Sequence, residues 1–429
     1  MPRLLFAVVA SAILAYPLQA QLDEGFDGAP EHPAIHYQTG PSNDRVAALM
    51  GRIDRGELTL ASEGPQGYLR SILKALDIPV ESQMVVFSRT SVQRQRIHPA
   101  NPRVLFFNDS VVVGWVSGGF IEIASQDPAQ GTIFYELPQS SGGFTEAPFN
   151  ALSPAVILRG NGCMSCHLAY GTMGVAGMLV RSTIPSQDGM PIRAFGEYTT
   201  DHRSPFVERW GGWYVTGKSG PSHLGNITAD PSMPEPIPKP TFLANLNGVV
   251  DPDRLLSPYS DVVALTVFDH QMRGMNLITR TGWEARYAAS EGETARTPVL
   301  KAAVNELVDY FLFIGEATIP AKIEGSSGFA EKFTAHGPQD KKGRSLRQLD
   351  LNQRLFRYPC SYLIYSDPFE ALPSKIKDAV YTRLAEVLSG AEKQPRYTKL
   401  TKADRQAIIE ILRDTKTNLP LAFQSLSAN

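Results

Sequence analysis

Five consecutive residues, Cys163-Met164-Ser165-Cys166-His167, carry the most specific chemistry in this 429-residue sequence. Two thiols three positions apart, with an imidazole directly after the second, form C-x-x-C-H. That spacing lets each thiol add across one vinyl group of a porphyrin and places the adjacent imidazole under the iron as proximal ligand. With three Cys and eight His in the chain, chance would produce this pattern on the order of a few times in ten thousand such chains, so a chemical reason is required. A redox dithiol shares the Cys spacing, but no Trp precedes Cys163 and no clean strand leads into it. A zinc site needs four good ligands, and beyond the pair only Cys360 and scattered His remain. The expectation is one covalent haem c, bound through Cys163 and Cys166 with His167 as proximal iron ligand.

A second axial ligand has several candidates. His223 and His202 rank first, then Met178, with His270 behind them. A thioether would raise the reduction potential and an imidazole would lower it. Met173 and Met178 are close to the motif in sequence, although core filling is the commoner role for any one Met. His202 and His223 bracket a block rich in Gly and aromatics, Arg209-Trp210-Gly211-Gly212-Trp213-Tyr214. Its glycines permit close backbone approach. Trp210, Trp213 and Tyr214 could wall a haem, and Arg203 or Arg209 could pair with a propionate; a buried aromatic hairpin explains the block equally well. His270 falls on a long helical pattern, from which it could reach the haem.

The elements that must position these groups change character along the chain. Asn43-Asp44 can cap a helix through Val46 to Met50, and Gly67 to Leu76 reads as a second. Short β-type runs follow: Met84 to Phe87, Val104 to Phe107, Val111 to Val116, Ile121 to Ile123 and Thr132 to Tyr135. Turn signals at Asn108-Asp109, Gly118-Gly119 and Asp127-Pro128 make them an antiparallel meander. Further strands are expected at Arg193 to Tyr198 and Trp213 to Thr216. Prolines at 231, 234, 236, 238 and 240 mark a linker. Beyond it, Asp261 to Tyr287, Val299 to Phe313, Ser374 to Leu388 and Thr401 to Thr415 carry apolar residues at helical spacing. The fold class is α+β: a strand-rich haem-bearing domain over 21–240, then a mainly helical domain over 241–429.

Residues 1–20 read as a signal peptide. Arg3 precedes an apolar run from Leu4 to Ala15, and Pro17-Leu18-Gln19-Ala20 offers a cleavage site. The expectation is an exported, periplasmic protein with no membrane span in the mature chain. Net charge is −2, so no basic field points to nucleic acid. The run Lys341, Lys342, Arg344, Arg347, Arg354 and Arg357 could dock an acidic redox partner, but Asp340 and Asp350 within it favour a self-paired surface. Cys360, among apolar neighbours, is expected to be a buried, inert thiol.

Through Cys163, Cys166 and His167 the chain resembles the c-type cytochromes. About 140 residues precede the motif once residues 1–20 are set aside, unlike the small soluble members, in which the haem Cys lie near the N-terminus. The combination of Phe107-Asn108-Asp109, the haem motif, Arg209 to Tyr214 and Tyr358-Pro359-Cys360-Ser361-Tyr362 is similar to large, mostly uncharacterised bacterial proteins known only by a cytochrome c domain. That resemblance covers most of the mature chain and implies haem without implying a reaction. A single C-x-x-C-H sets it apart from two-haem peroxidases. The expected function is electron transfer with a redox partner protein in the cell envelope. The alternative is a haem enzyme, peroxidase-like or acting on a small molecule, with an open distal site; a third reading is a haem sensor or a subunit of an envelope redox complex.

Overall fold

The computed structural model describes residues 25–139, 155–160, 162–220, 222–232 and 238–428. The expected signal peptide and residues 233–237 of the proline-rich stretch lie outside the described residues. Nine strands are described: β1 Met84–Val86, β2 Arg103–Phe107, β3 Val111–Val116, β4 Ile121–Asp127, β5 Gly131–Leu137, β6 Leu158–Arg159, β7 Val180–Thr183, β8 Glu197–Thr200 and β9 Trp213–Tyr214. The helices are α1 Arg45–Asp54, α2 Leu69–Ala75, α3 Met164–His167, α4 Val262–Glu291, α5 Glu293–Phe311, α6 Phe329–Ala335, α7 Asp367–Glu370, α8 Ser374–Ser389, α9 Lys402–Thr415 and α10 Leu421–Gln424. The strand-rich first half and helical second half are the α+β architecture read from the sequence.

Seven strands form one antiparallel sheet in the order β6-β5-β4-β3-β2-β1-β9, and β7 pairs with β8 in a separate ribbon. The sequence reading placed a strand at Arg193 to Tyr198; the strand begins only at Glu197, after a 3₁₀ turn at Arg193–Phe195. The central strands are apolar almost without interruption because both faces of the sheet are covered. One face sends Leu105, Phe107, Val112, Ala124 and Phe134 into a core shared with the helical half. The other sends Val104, Phe106, Val113, Ile123 and Tyr135 against Val46 and Leu49 of α1 and Ile72 and Leu73 of α2.

Helix α4 is the axis of the molecule. It runs for 30 residues and is buried on nearly every side, so its polar residues must find partners inside the protein. Asp261 caps its start, one carboxylate oxygen accepting from the amides of Val263 and Ala264 at 2.7 and 3.1 Å. The other oxygen accepts from the amides of Ser326 and Ser327 at 2.6 and 2.8 Å. Phe268 of α4 meets Phe107 of β2 with ring centroids 5.1 Å apart, joining helix to sheet. Among the described residues, no helix is long and apolar enough to cross a membrane.

Candidate functional site

The C-x-x-C-H residues fold as a single turn. The amides of Cys166 and His167 both donate to the carbonyl of Cys163, at 3.2 and 3.0 Å, and Ser165 Oγ donates to the carbonyl of Gly162 at 3.2 Å. This turn leaves Cys166 exposed and holds Cys163 half-buried, with Cys163 and Met164 against the core. Both thiols are free. Burial pushes the Cys163 thiol up to about 12, with Glu122 and Glu136 adding to the shift.

His167 packs its ring on Phe134 of β5, centroids 4.6 Å apart. Its Nδ1 lies 2.9 Å from the carbonyl oxygen of Gly177, and the amide of Gly177 donates back to the carbonyl of His167 at 3.0 Å. Burial lowers the imidazole pKa, opposed by the Gly177 bond, so the ring is held neutral. A carbonyl can only accept; Nδ1 therefore carries the hydrogen and Nε2 keeps its lone pair. The receiving segment is itself fastened to α4. The Met178 amide donates to Asn276 Oδ1 at 3.1 Å, and Asn276 Nδ2 donates to the Met178 carbonyl at 2.7 Å. A Cβ at Gly177 would stand 2.2 Å from Asn276 Oδ1, so this approach is open to glycine alone. An anchored imidazole with a free Nε2, beside two unlinked thiols, is a donor set that fits a covalent iron porphyrin.

The four distal candidates fall into three settings, His202 and His270 sharing one. Met178 follows the carbonyl that meets Nδ1, on the ring edge opposite Nε2. Its side chain lines a cavity of about 220 Å³ together with Met272, Arg203 and Arg273. His202 and His270 are brought together: their Nδ1 atoms are 2.8 Å apart, and His270 Nε2 is 2.8 Å from Ser361 Oγ. Both are fully buried between the rings of Tyr310 and Phe313. His202 Nε2 has no partner among the described residues. His223 accepts the Gly225 amide on Nδ1 at 2.9 Å, which puts its hydrogen on Nε2. Among the described residues, no three His, Cys, Asp or Glu side chains converge on one point.

The aromatic block serves the protein's own packing. Trp210 Nε1 donates to Asp269 at 3.0 Å, Trp213 Nε1 to the carbonyl of Arg181 at 2.7 Å, and Tyr214 hydroxyl to the carbonyl of Pro99 at 3.1 Å. Gly211 and Gly212 are needed because Thr183 and Ser88 approach within 3 Å of where a Cβ would stand. Arg209 is buried on the carbonyls of His202 and Ser204, and Arg203 is paired with Asp201 at 2.7 Å. The basic run is likewise internally paired: Lys342 and Arg344 with Glu410, Arg347 with Asp109, and Arg354 with Asp404.

Sequence reasoning missed the charges that face the motif. Burial tends to raise the Glu122 carboxyl, but Arg103 at 2.7 Å, Gln93 and Ser91 outweigh it and hold the group below its ordinary value. Glu136, half-buried beside Cys163, is pushed up by burial and by Glu122. The charged residues Arg103, Glu122 and Glu136 inside otherwise apolar strands were the available signal. Comparison of the chain with models of protein families, with curated proteins and with solved structures found no match in any of the three.

Proposed function

We propose that this chain is an exported monohaem c-type cytochrome that transfers electrons to or from a partner protein in the cell envelope. In this reading Cys163 and Cys166 bear the thioether links and His167 is the proximal iron ligand. The observation that supports it most directly is the 2.9 Å contact between His167 Nδ1 and the Gly177 carbonyl. That bond selects the tautomer whose Nε2 can give its lone pair to a metal and fixes the orientation of the ring.

When bound, haem supplies a one-electron iron centre. The protein's part is to keep that centre in place and reorganise little. Asn276 holds the 177–178 backbone, Phe134 holds the ring face, and burial keeps His167 neutral. Cys166 is exposed, which leaves this edge of the site within reach of attachment machinery and of a docking partner.

The test is expression alongside functional haem-attachment machinery, followed by a denaturing gel stained for haem. Wild type is expected to retain stain, either single Cys→Ala variant to retain less, and Cys163→Ala/Cys166→Ala to lose it. Full staining of the double variant, or a colourless wild type, sinks the assignment. In the stained protein, a low-spin spectrum that is inert to cyanide supports the carrier. Rapid cyanide binding by high-spin iron supports the enzyme reading instead.

A further inference from the structure

Strand β6 is an edge of the seven-stranded sheet, and the segment leading into it alternates: Ala155 and Ile157 are buried, while Val156 and Leu158 are 44% and 47% exposed. Ala155 and Ile157 join the core shared with α1 and α2. Side chains alternate across a strand, so Val156 and Leu158 point to the other face. The register agrees. Leu158 stands opposite Glu136, which shares its face with Phe134 two residues before it. From β2 to β5 the apolar side chains of that face are buried in a core with the helical half. At β6 two aliphatic side chains on the same face remain exposed and forgo the gain of burial.

The haem motif stands on this face as well. The amide of Gly160 donates to the carbonyl of Phe134 at 2.8 Å, which carries the ladder one residue past Arg159, so Gly160 faces as Leu158 does. A Cβ at Gly160 would stand 3.6 Å from Cys163 Sγ. Gly160 and Leu158 are two residues apart along the strand, roughly 7 Å, which sets the thiol beside the exposed leucine. His167 gives an independent direction. Its Nδ1 faces the Gly177 carbonyl, on the segment that Asn276 fastens to α4, so Nε2 on the far edge of the ring faces away from that segment.

We propose that Val156 and Leu158 are the seat of the porphyrin, so that covalent haem completes the apolar cover of the sheet at its β6 edge. The inference rests on the haem reading and names the surface against which the cofactor lies. A flat, largely apolar ring tethered at Cys163 is the occupant that matches two exposed aliphatic side chains beside that sulfur. Glu136 borders the seat from β5. It is half-buried, and burial together with Glu122 pushes its carboxyl toward the uncharged form that an apolar neighbour tolerates.

Gel staining for haem comes first, and a colourless wild type overturns the haem reading itself; the later steps test the seat in stained protein. The reduced holoprotein, low-spin as isolated or made so with carbon monoxide, is diamagnetic. Its proton NMR spectrum is expected to show the methyl signals of Val156 and Leu158 moved upfield by the porphyrin ring current. Val156→Ala and Leu158→Ala identify those signals by their loss, and signals at ordinary positions overturn the proposal. Leu158→Asp sets a carboxylate against the haem and is expected to lower the reduction potential, because negative charge near the iron favours its oxidised form. Leu158→Asn should lower it less, and Leu421→Asp, at an exposed leucine on α10, should leave it unchanged. Equal potentials in Leu158→Asp and wild type overturn the proposal. In urea, Leu158→Asp is expected to lower the midpoint of the holoprotein and spare that of the haem-free chain. An equal loss in both means that another segment of this chain covers the strand, and the proposal falls.

Discussion

His202, His270 and His223 are buried as neutral imidazoles, and this sets how the protein answers acid. Burial depresses His270 to about 3 and His223 to about 4, and lowers His202 well below the ordinary histidine value. Above pH 6.5 both folded and unfolded chains are neutral at these sites and stability is unaffected. As pH falls through that value the unfolded chain takes up protons that the folded chain refuses, so stability declines by about 1.4 kcal/mol per pH unit for each histidine. His223→Asn keeps an acceptor for the Gly225 amide and removes one such site. Urea unfolding between pH 6 and 4.5 should therefore show a slope shallower by about one proton; an unchanged slope counts against this account. At this scale the C-x-x-C-H motif was legible in full, because five adjacent residues define it. It did not reveal what each distal candidate touches. His202 and His270 are 68 positions apart, and nothing local announces that one ring answers the other.

Among the elements, α4 contributes most to the site, since it supplies Asn276 to the His167 anchor and Phe268 to the sheet. Its start depends on one carboxylate that satisfies the amides of two helical residues and of two serines in the segment before α6. Asp261→Ala would leave these buried donors unmet. The expected loss is about 2–4 kcal/mol, beyond that of an exposed cap, read as a fall in the urea midpoint. Asp261→Asn, which keeps one acceptor oxygen, should lose less; equal loss in both variants would point to the charge instead of the hydrogen bonds. Helix α4 was legible from its apolar spacing, as were the meander strands from their turn residues. In the ribbon, β7 was not, and the strand expected at Arg193 to Tyr198 meets β8 only at Glu197 and Tyr198, because four-residue strands carry too little periodicity to fix their ends.

On the scale of the whole molecule, one buried cluster takes side chains from β2, β3, β5, α4, α5, α8 and α9. Residues on both sides of the proline-rich stretch therefore share apolar contacts. Loss of the sheet should strip the helices of their packing surface, and the reverse. Far-UV circular dichroism, dominated by helices, and the fluorescence of Trp115 and Trp213 in the sheet are expected to report one shared transition. Two separated midpoints would mean that the halves melt independently. The fold class could be read from the order of strand and helix patterns, whereas this cluster could not: it is made of contacts between segments more than a hundred residues apart.

Cys360 belongs to that cluster with no exposed surface, and its thiol is pushed up to about 12 by burial. Once the two motif cysteines are capped by thioethers or replaced, it is the last thiol in the chain. A thiol reagent can then mark it only during those moments when the interior opens. Its labelling half-life under native conditions becomes a clock for global opening, readable by mass without any denaturant.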